Sequence, residues 1–286
     1  MKMPENNLQS VVIYFKNQLA DFYDDAEINS MLYIVLDFYF GIQKTTIALK
    51  EEKRFSESDL LKVIGVVKEL KKKKPLAYIL GEWEFFGLTL KVDENTLIPR
   101  PETEELITLI IEENPNINHV IDIGTGSGCI ALGLKSKLND ANIYAWDISE
   151  KALEKVVENA TLNQLEINTE RVDILKSKDK QLDFKVDVIV SNPPYITEKE
   201  KSLMAENVLD YEPHIALFVP DDNSLLFYEA ITDFAILNLK KNGKLYFEIN
   251  EHYGDEVVQL LQNKKMKNIL LHQDINSKDR MVSCCL

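Results

Sequence analysis

The sequence predicts an α/β protein in which a mostly parallel sheet is wrapped by helices and preceded by a small helical bundle. Three observations predict it. The first 74 residues carry helical patterning with few turn signals. From His119 onward the strand-like runs HVIDIG, NIYAWDIS, VDVIVSNPPY and KLYFEIN alternate with helical stretches, a pattern that implies parallel strands joined by helical crossovers. A glycine-rich turn inside VIDIGTGSGCIAL joins the first of those strands to an apolar helix.

Composition agrees with such a fold. At 286 residues the chain is long enough for two unequal domains, and 45% hydrophobic with 28% charged residues is ordinary globular composition. Forty-seven acidic against 33 basic residues give a net charge of −14, which repels a polyphosphate backbone, so no direct nucleic-acid binding is expected. MKMPENNLQS has no apolar core after its basic residue, and no window reaches the ~18 apolar residues of a membrane span, so the chain reads as cytoplasmic with no membrane partner. Cys129, Cys284 and Cys285 are an odd, poorly spaced set for disulfides or zinc and read as buried or tail thiols; no metal is expected.

Residues 1–74 form the expected bundle. LQSVVIYFKNQLADFY places Val11, Phe15, Leu19 and Phe22 near one face, and EINSMLYIVLDFYFG is a packed helix that stops near Gly41. FSESDLLKVIGVVKELKKKK takes Ser56 or Ser58 as N-cap and ends in a basic run suited to the negative end of the helix dipole. Lys71 to Lys74 read as that solvated helix end rather than a nucleic-acid patch, because no aromatic or Arg residues interleave with them. Residues 75–98 form a linker in which Trp83 to Val92 alternate as a β-hairpin pivoting on Gly87. Residues 99–286 carry the α/β domain, whose last 35 or so residues read as a helix and two more strands.

In the glycine turn, Gly124, Gly126 and Gly128 let the backbone turn tightly and let a flat or charged ligand lie against it. A second strand ends on Asp147, where a carboxylate can accept both hydroxyls of a ribose. Strand, loop, helix, strand and acid together point to a nucleoside cofactor. A dinucleotide-type GxGxxG would need glycine at position 129, which is Cys129; the spacing is similar to the first motif of S-adenosylmethionine-dependent methyltransferases.

Asn192-Pro193-Pro194-Tyr195 ends the fourth strand of that domain, on the edge where open α/β sheets bind ligands. Asn192 offers an amide oxygen, and Pro193 a carbonyl beside a Pro194 that has no N–H. Two acceptors facing one point suit a substrate that is itself an NH2 group, with its lone pair turned toward an electrophilic methyl. Tyr195 is expected to pack its ring on the flat substrate group and exclude water.

NPPY after DIGTGSG resembles the amino-methyltransferases. PLAYILGEWEFFGL running into LIPRPETEEL further resembles the release-factor glutamine methyltransferase family, from about Pro75 to the C-terminus, after a family-like helical domain. The resemblance implies a Rossmann-like class I methyltransferase domain with a seven-stranded sheet, S-adenosyl-L-methionine as cofactor and S-adenosyl-L-homocysteine as product. It implies methylation of the glutamine side-chain amide in the GGQ motif of class 1 peptide chain release factors, gripped by the helical domain. Matched by position, Gly124, Thr125, Gly126, Ser127, Gly128 and Asp147 would bind cofactor, with Asp173 and Ile174 at the adenine and Asn192 beside the donor. Asn192, Pro193 and Tyr195 would be catalytic, with Pro194 completing the glutamine site. Arg100, Pro101, Glu102 and Glu105, from the PRPETE loop, would lie near its mouth, Arg100 and Glu102 touching substrate. Cys129, where the family suggests alanine, and the abrupt ending RMVSCCL are the departures. A ribosomal-protein glutamine or a DNA adenine as acceptor, and an inactive binding module, are the rival readings; the net charge argues against DNA, and the intact Asn192 and glycine loop against inactivity.

Overall fold

The computed structural model describes residues 5–286, the side chain of Leu203 excepted; the first four residues of MKMPENNLQS lie outside the described residues. Two compact units divide between Leu80 and Gly81.

In the first unit, α1 (Leu8–Leu19), α2 (Asp25–Phe40), α3 (Lys44–Ala48), α4 (Glu57–Leu70) and α5 (Leu76–Leu80) enclose a core that includes Val11, Phe15, Leu19, Val35 and Val63. Those residues recur at helical spacing, so one stripe of each long helix is dry. Asn7, Asp24 and Ser56 cap α1, α2 and α4 with side-chain oxygens, and Ser56 with Asp59 forms a full capping box. Gly41 ends α2 in the left-handed conformation. The compact unit runs past the expected boundary at Lys74, because Leu76 after Pro75 still packs into the helical core. The lysine run is engaged locally: Lys71 Nζ donates to Gln18 Oε1 at 2.7 Å, Lys72 pairs with Glu69, and Lys73 reaches the Phe22 carbonyl.

The second unit opens with a hairpin, β1 (Glu82–Phe85) and β2 (Leu88–Lys91), turning through Phe86 and Gly87, both at positive φ. After α6 (Pro101–Glu113) come β3 (His119–Ile123), α7 (Cys129–Lys137), β4 (Asn142–Asp147), α8 (Glu150–Leu162), β5 (Asn168–Arg171), α9 (Ile174–Ser177) and β6 (Val186–Ser191). A long excursion follows, holding β7 (Ile196–Thr197), α10 (Glu206–Tyr211) and β8 (Phe218–Val219), with β7 and β8 paired in parallel at its base. The chain closes with α11 (Leu226–Asn238), β9 (Leu239–Glu248), α12 (Gly254–Asn263), β10 (Lys267–Gln273) and β11 (Asp279–Cys285).

The main sheet has seven strands in the order β10-β11-β9-β6-β3-β4-β5. β9, β6, β3, β4 and β5 are parallel, and β11 and β10 add an antiparallel edge. Strand alternation fills two cores. Val120, Val188 and Val190 point to the face covered by Ile107 and Leu132, while Ile121, Ile189 and Phe247 point to the face holding Phe234 and Leu261. Burying each such side chain contributes about 1.5–3 kcal/mol. The chain leaves β3 for β4 on one side and later returns to β6 on the other, so a crevice opens at the carboxyl ends of β3 and β6. Among the described residues no helix is long and apolar enough to cross a membrane, and no cluster of His, Cys, Asp and Glu is placed to hold a metal.

Candidate active site

A cavity of about 300 Å³ occupies that crevice. Gly124, Thr125, Gly126, Ser127, Asp147, Asp173 and Ile174 line it, and Asn192, Pro193, Pro194 and Arg100 line the same cavity. Glycine loop and proline corner, far apart in sequence, therefore share one space. Ser191 Oγ donates to the Ile123 carbonyl at 2.6 Å, tying the ends of β6 and β3 together just before each loop departs.

The three loop glycines have different tasks. All sit at positive φ, between 56° and 84°. A Cβ at Gly124 or Gly126 would meet no atom within 4 Å and would project into open space, so these two leave room for a ligand. A Cβ at Gly128 would lie 3.2 Å from Leu132 and Val156; Gly128 does not line the cavity and lets α7 pack. Beneath the loop, buried Asp122 accepts from Thr125 Oγ1 at 2.6 Å and from the Ala131 amide at 3.2 Å. Burial pushes its carboxyl up to about 7, against those two hydrogen bonds. Its Oδ1 has no partner among the described residues.

Asp147 ends β4 with its carboxylate spanning the loop: Oδ2 accepts from the Gly126 amide and Oδ1 from the Ser149 amide, both at 2.9 Å. Burial raises its pKa, while those amides hold it back. With about four acceptor sites on a carboxylate, these amides and that of Ile148 leave capacity for a ribose hydroxyl. Asp173 caps α9 through the Leu175 amide and pairs with Lys176, whose hydrogen bond lowers its pKa. The space left by Gly124 and Gly126, the remaining acceptor capacity of Asp147 and the apolar Ile174 fit a nucleoside with a charged tail. Cys129 also lines the cavity; burial and nearby Asp122 push its thiol up to about 12, so it is not a nucleophile.

At the proline corner, Asn192 is half-buried and Pro193 buried. Tyr195 does not line the cavity. Its ring packs instead on the core that holds Tyr228 and Phe247, and burial raises its pKa. On the third strand after β6 in sequence but adjacent to it in the sheet, Glu248 ends β9. It is buried, Thr103 Oγ1 donates to its Oε2 at 2.7 Å, and burial pushes it up to about 7.

The PRPETE stretch expected as a loop is a loop only through Arg100, because Pro101 opens α6, and its role is mostly architectural. Arg100 lines the cavity but forms an ion pair at 2.5 Å with Glu212, which is buried and also accepts from the Ile98 amide. Glu102 does not line the cavity; its charge opposes ionisation of Glu248 and Tyr195. Glu104 accepts from the hairpin amide of Phe86, and Glu105 from the Ile275 amide at 3.2 Å.

Sequence reasoning missed Thr103, Glu248 and Glu212, and the lining residues Asn95, Pro213 and Phe227. An acid closing the apolar strand KLYFE was a usable signal for Glu248, and Thr103 lay inside a motif already quoted. Pro213 and Phe227 arrive through the excursion after β6 and α11, which no local pattern marks.

Residues 103–211 match the family described as Methyltransferase small domain. Among solved structures, the hMettl16 catalytic domain in complex with a MAT2A 3′UTR hairpin aligns at TM-score 0.58 and 14% identity over 93% of this chain and 92% of that one, a likeness of fold alone. Glycine cradle, ribose-type acid and switch-point cavity on this sheet define a Rossmann-like, S-adenosyl-L-methionine-dependent methyltransferase. Curated relatives of this chain are named Release factor glutamine methyltransferase. That of Flavobacterium psychrophilum is 46% identical over 94% of this chain and 95% of the relative, and that of Bacteroides thetaiotaomicron 38% identical over 96% and 99%. The chain belongs to the release factor glutamine methyltransferase family.

Proposed function

We propose that the protein transfers a methyl group from S-adenosyl-L-methionine to the side-chain amide nitrogen of the glutamine in the GGQ loop of class 1 peptide chain release factors, in the cytoplasm. The observation that carries this reading is that Asn192 and Pro193 line the same cavity as Asp147 and the glycine loop. Family membership supplies the acceptor class.

The bound donor supplies an electrophilic methyl on a positively charged sulfur. With the donor bound, Asp147 would accept from its ribose hydroxyls, Gly124 and Gly126 would leave room for its tail, and Ile174 with Asp173 would hold its adenine. Asn192 Oδ1 and the Pro193 carbonyl accept the two amide hydrogens of the incoming glutamine and so turn its nitrogen lone pair toward the methyl. Positioning of this kind lowers a barrier by roughly 7–11 kcal/mol. As the nitrogen gains positive charge, both hydrogen bonds strengthen, so the transition state is favoured over the ground state. A strong base is not required while the nitrogen still carries its protons; one leaves to water after transfer. Tyr195, seated in the core, holds the corner rigid. Arg100, tied to Glu212, keeps the excursion after β6 over the mouth, and Glu102 flanks it.

The test is transfer of labelled methyl to three acceptors: a class 1 release factor, ribosomal protein and DNA. Label is expected on the release factor alone, and to vanish when its GGQ glutamine is replaced by alanine. Label on either other acceptor, or label surviving that replacement, overturns the assignment.

A further inference from the structure

Asn192 can present either end of its amide to the cavity, and only one end serves an NH2 substrate. If the NH2 of Asn192 faced the glutamine NH2, two donors would oppose each other. The orientation must therefore be imposed from behind. In the parallel register Ser191 lies opposite Phe247, so Asn192 and Glu248 come next on neighbouring strands, side by side at the carboxyl edge of the sheet. Glu248 is buried and fixed from the far side by Thr103 on the first turn of α6, which donates to Oε2. The Asn192 side chain is its remaining hydrogen-bond partner of this kind, with a smaller effect than Thr103.

We propose that Glu248 is the positioning residue of the reaction: its carboxylate accepts from Asn192 Nδ2 and thereby turns Asn192 Oδ1 toward the substrate amide. This rests on the function proposed above. An ionised carboxylate has no donor, so it can face only the NH2 end of the amide. Hydrogen bonds of catalytic groups often align fully only when substrate arrives, and this one is expected to tighten in the complex. Thr103, Glu248, Asn192 and the substrate nitrogen then form one chain, which gives the threonine of PRPETE a task no local pattern reveals.

The arrangement is also sensitive to protonation. A protonated Glu248 gains an O–H that donates to Asn192 Oδ1, turning the NH2 into the cavity and opposing the substrate. Burial holds this carboxyl near 7, so the adverse form grows as pH falls through that value. The other charged or titratable groups facing it are Arg280 from β11, which favours the ionised form, and Glu102 from α6, which opposes it. Tyr195 beyond the corner, Tyr228 on α11 and Cys129 on α7 also face it and stay neutral, because burial raises all three.

Two substitutions test the proposal. Glu248→Gln keeps an acceptor for Asn192 and a partner for Thr103 but cannot titrate; Glu248→Leu removes the acceptor. In the full-length protein, the side-chain 15N–1H resonances of Asn192, assigned by their loss in Asn192→Asp, should shift with pH in the wild type and stop doing so in Glu248→Gln. In single-turnover assays Glu248→Leu should lose methyl transfer by about 10- to 100-fold, the range for partners that orient functional ligands. Its adenosylmethionine affinity should stay within about twofold, and Glu248→Gln should recover most of the rate. Asn192 resonances indifferent to both pH and the Gln substitution, or a folded Leu variant transferring methyl at the wild-type rate, overturn it. The spectroscopic arm uses no acceptor, so it decides the orientation even if the release factor proves not to be the substrate.

Discussion

Asn192 bears most of the proposed chemistry on one amide oxygen. Asn192→Ala removes that acceptor, and Asn192→Asp keeps one but adds a charge near the sulfonium that favours the charged ground state. Both variants should fold and bind adenosylmethionine, and single-turnover kcat should fall by at least about a hundredfold, ~2.7 kcal/mol, with alanine the worse. An alanine variant within tenfold of wild type would reduce the corner to a turn. The role proposed for Asp147 is on the cofactor instead: Asp147→Ala should weaken adenosylmethionine binding by about 1.5–3 kcal/mol in calorimetry, the range for hydrogen bonds to a charged group. Asp122 acts on stability. Its folded pKa of about 7 lies above the ordinary 3.8, so the folded protein holds this proton where the unfolded chain has lost it. Its contribution is full below pH 3.8 and is lost as pH rises to about 7. Asp122→Asn, which offers an amide at the same place, should flatten the fall in melting temperature across that window. An unchanged slope would mean that Asp122 ionises normally.

At the level of elements, the strand–loop–helix unit from β3 to α7 joins two requirements in one turn, and substitution separates them. Gly128→Ala adds a methyl against Leu132 and Val156 at a positive φ, so it should lower stability by about 1–2 kcal/mol and leave cofactor affinity of the folded fraction unchanged. Gly126→Ala bears similar backbone strain but projects into the cavity, so its larger effect should be on adenosylmethionine affinity. Thermal melts paired with calorimetry separate the two, and matching losses in both variants would end the distinction. These roles are indistinguishable in GTGSG read as letters, because what a Cβ would meet depends on α8 and on the cavity. The PRPETE loop teaches the same lesson. Its residues read as a mouth, yet Arg100, Thr103, Glu104 and Glu105 each bind a different part of the chain, so the loop organises the site more than it lines it.

In the molecule as a whole, each compact unit has its own apolar core. If the helical unit grips the release factor, removing the chain through Leu80 should impair methylation of the whole factor far more than that of a short GGQ peptide, because remote binding energy positions the reacting group. Equal losses on both acceptors would assign that unit a purely structural role. The sequence by itself determined the α/β class, the helical bundle, the hairpin pivoting on Gly87, the glycine turn after β3, the strand end at Asp147 and the proline corner. These follow from spacing and backbone chemistry within a few residues, and such constraints survive in a linear string. Tertiary structure alone decided that Tyr195 faces the core rather than the cavity, that Arg100 meets Glu212, and that Thr103 meets Glu248, which follows Phe247 opposite Ser191 in the sheet. Those partners are separated by more than a hundred residues in the case of Arg100–Glu212 and of Thr103–Glu248. Glu212 reaches Arg100 through the excursion after β6, and Glu248 reaches Thr103 because β9 pairs with β6 and α6 packs on the sheet; long-range meetings of that kind leave no periodicity in the sequence.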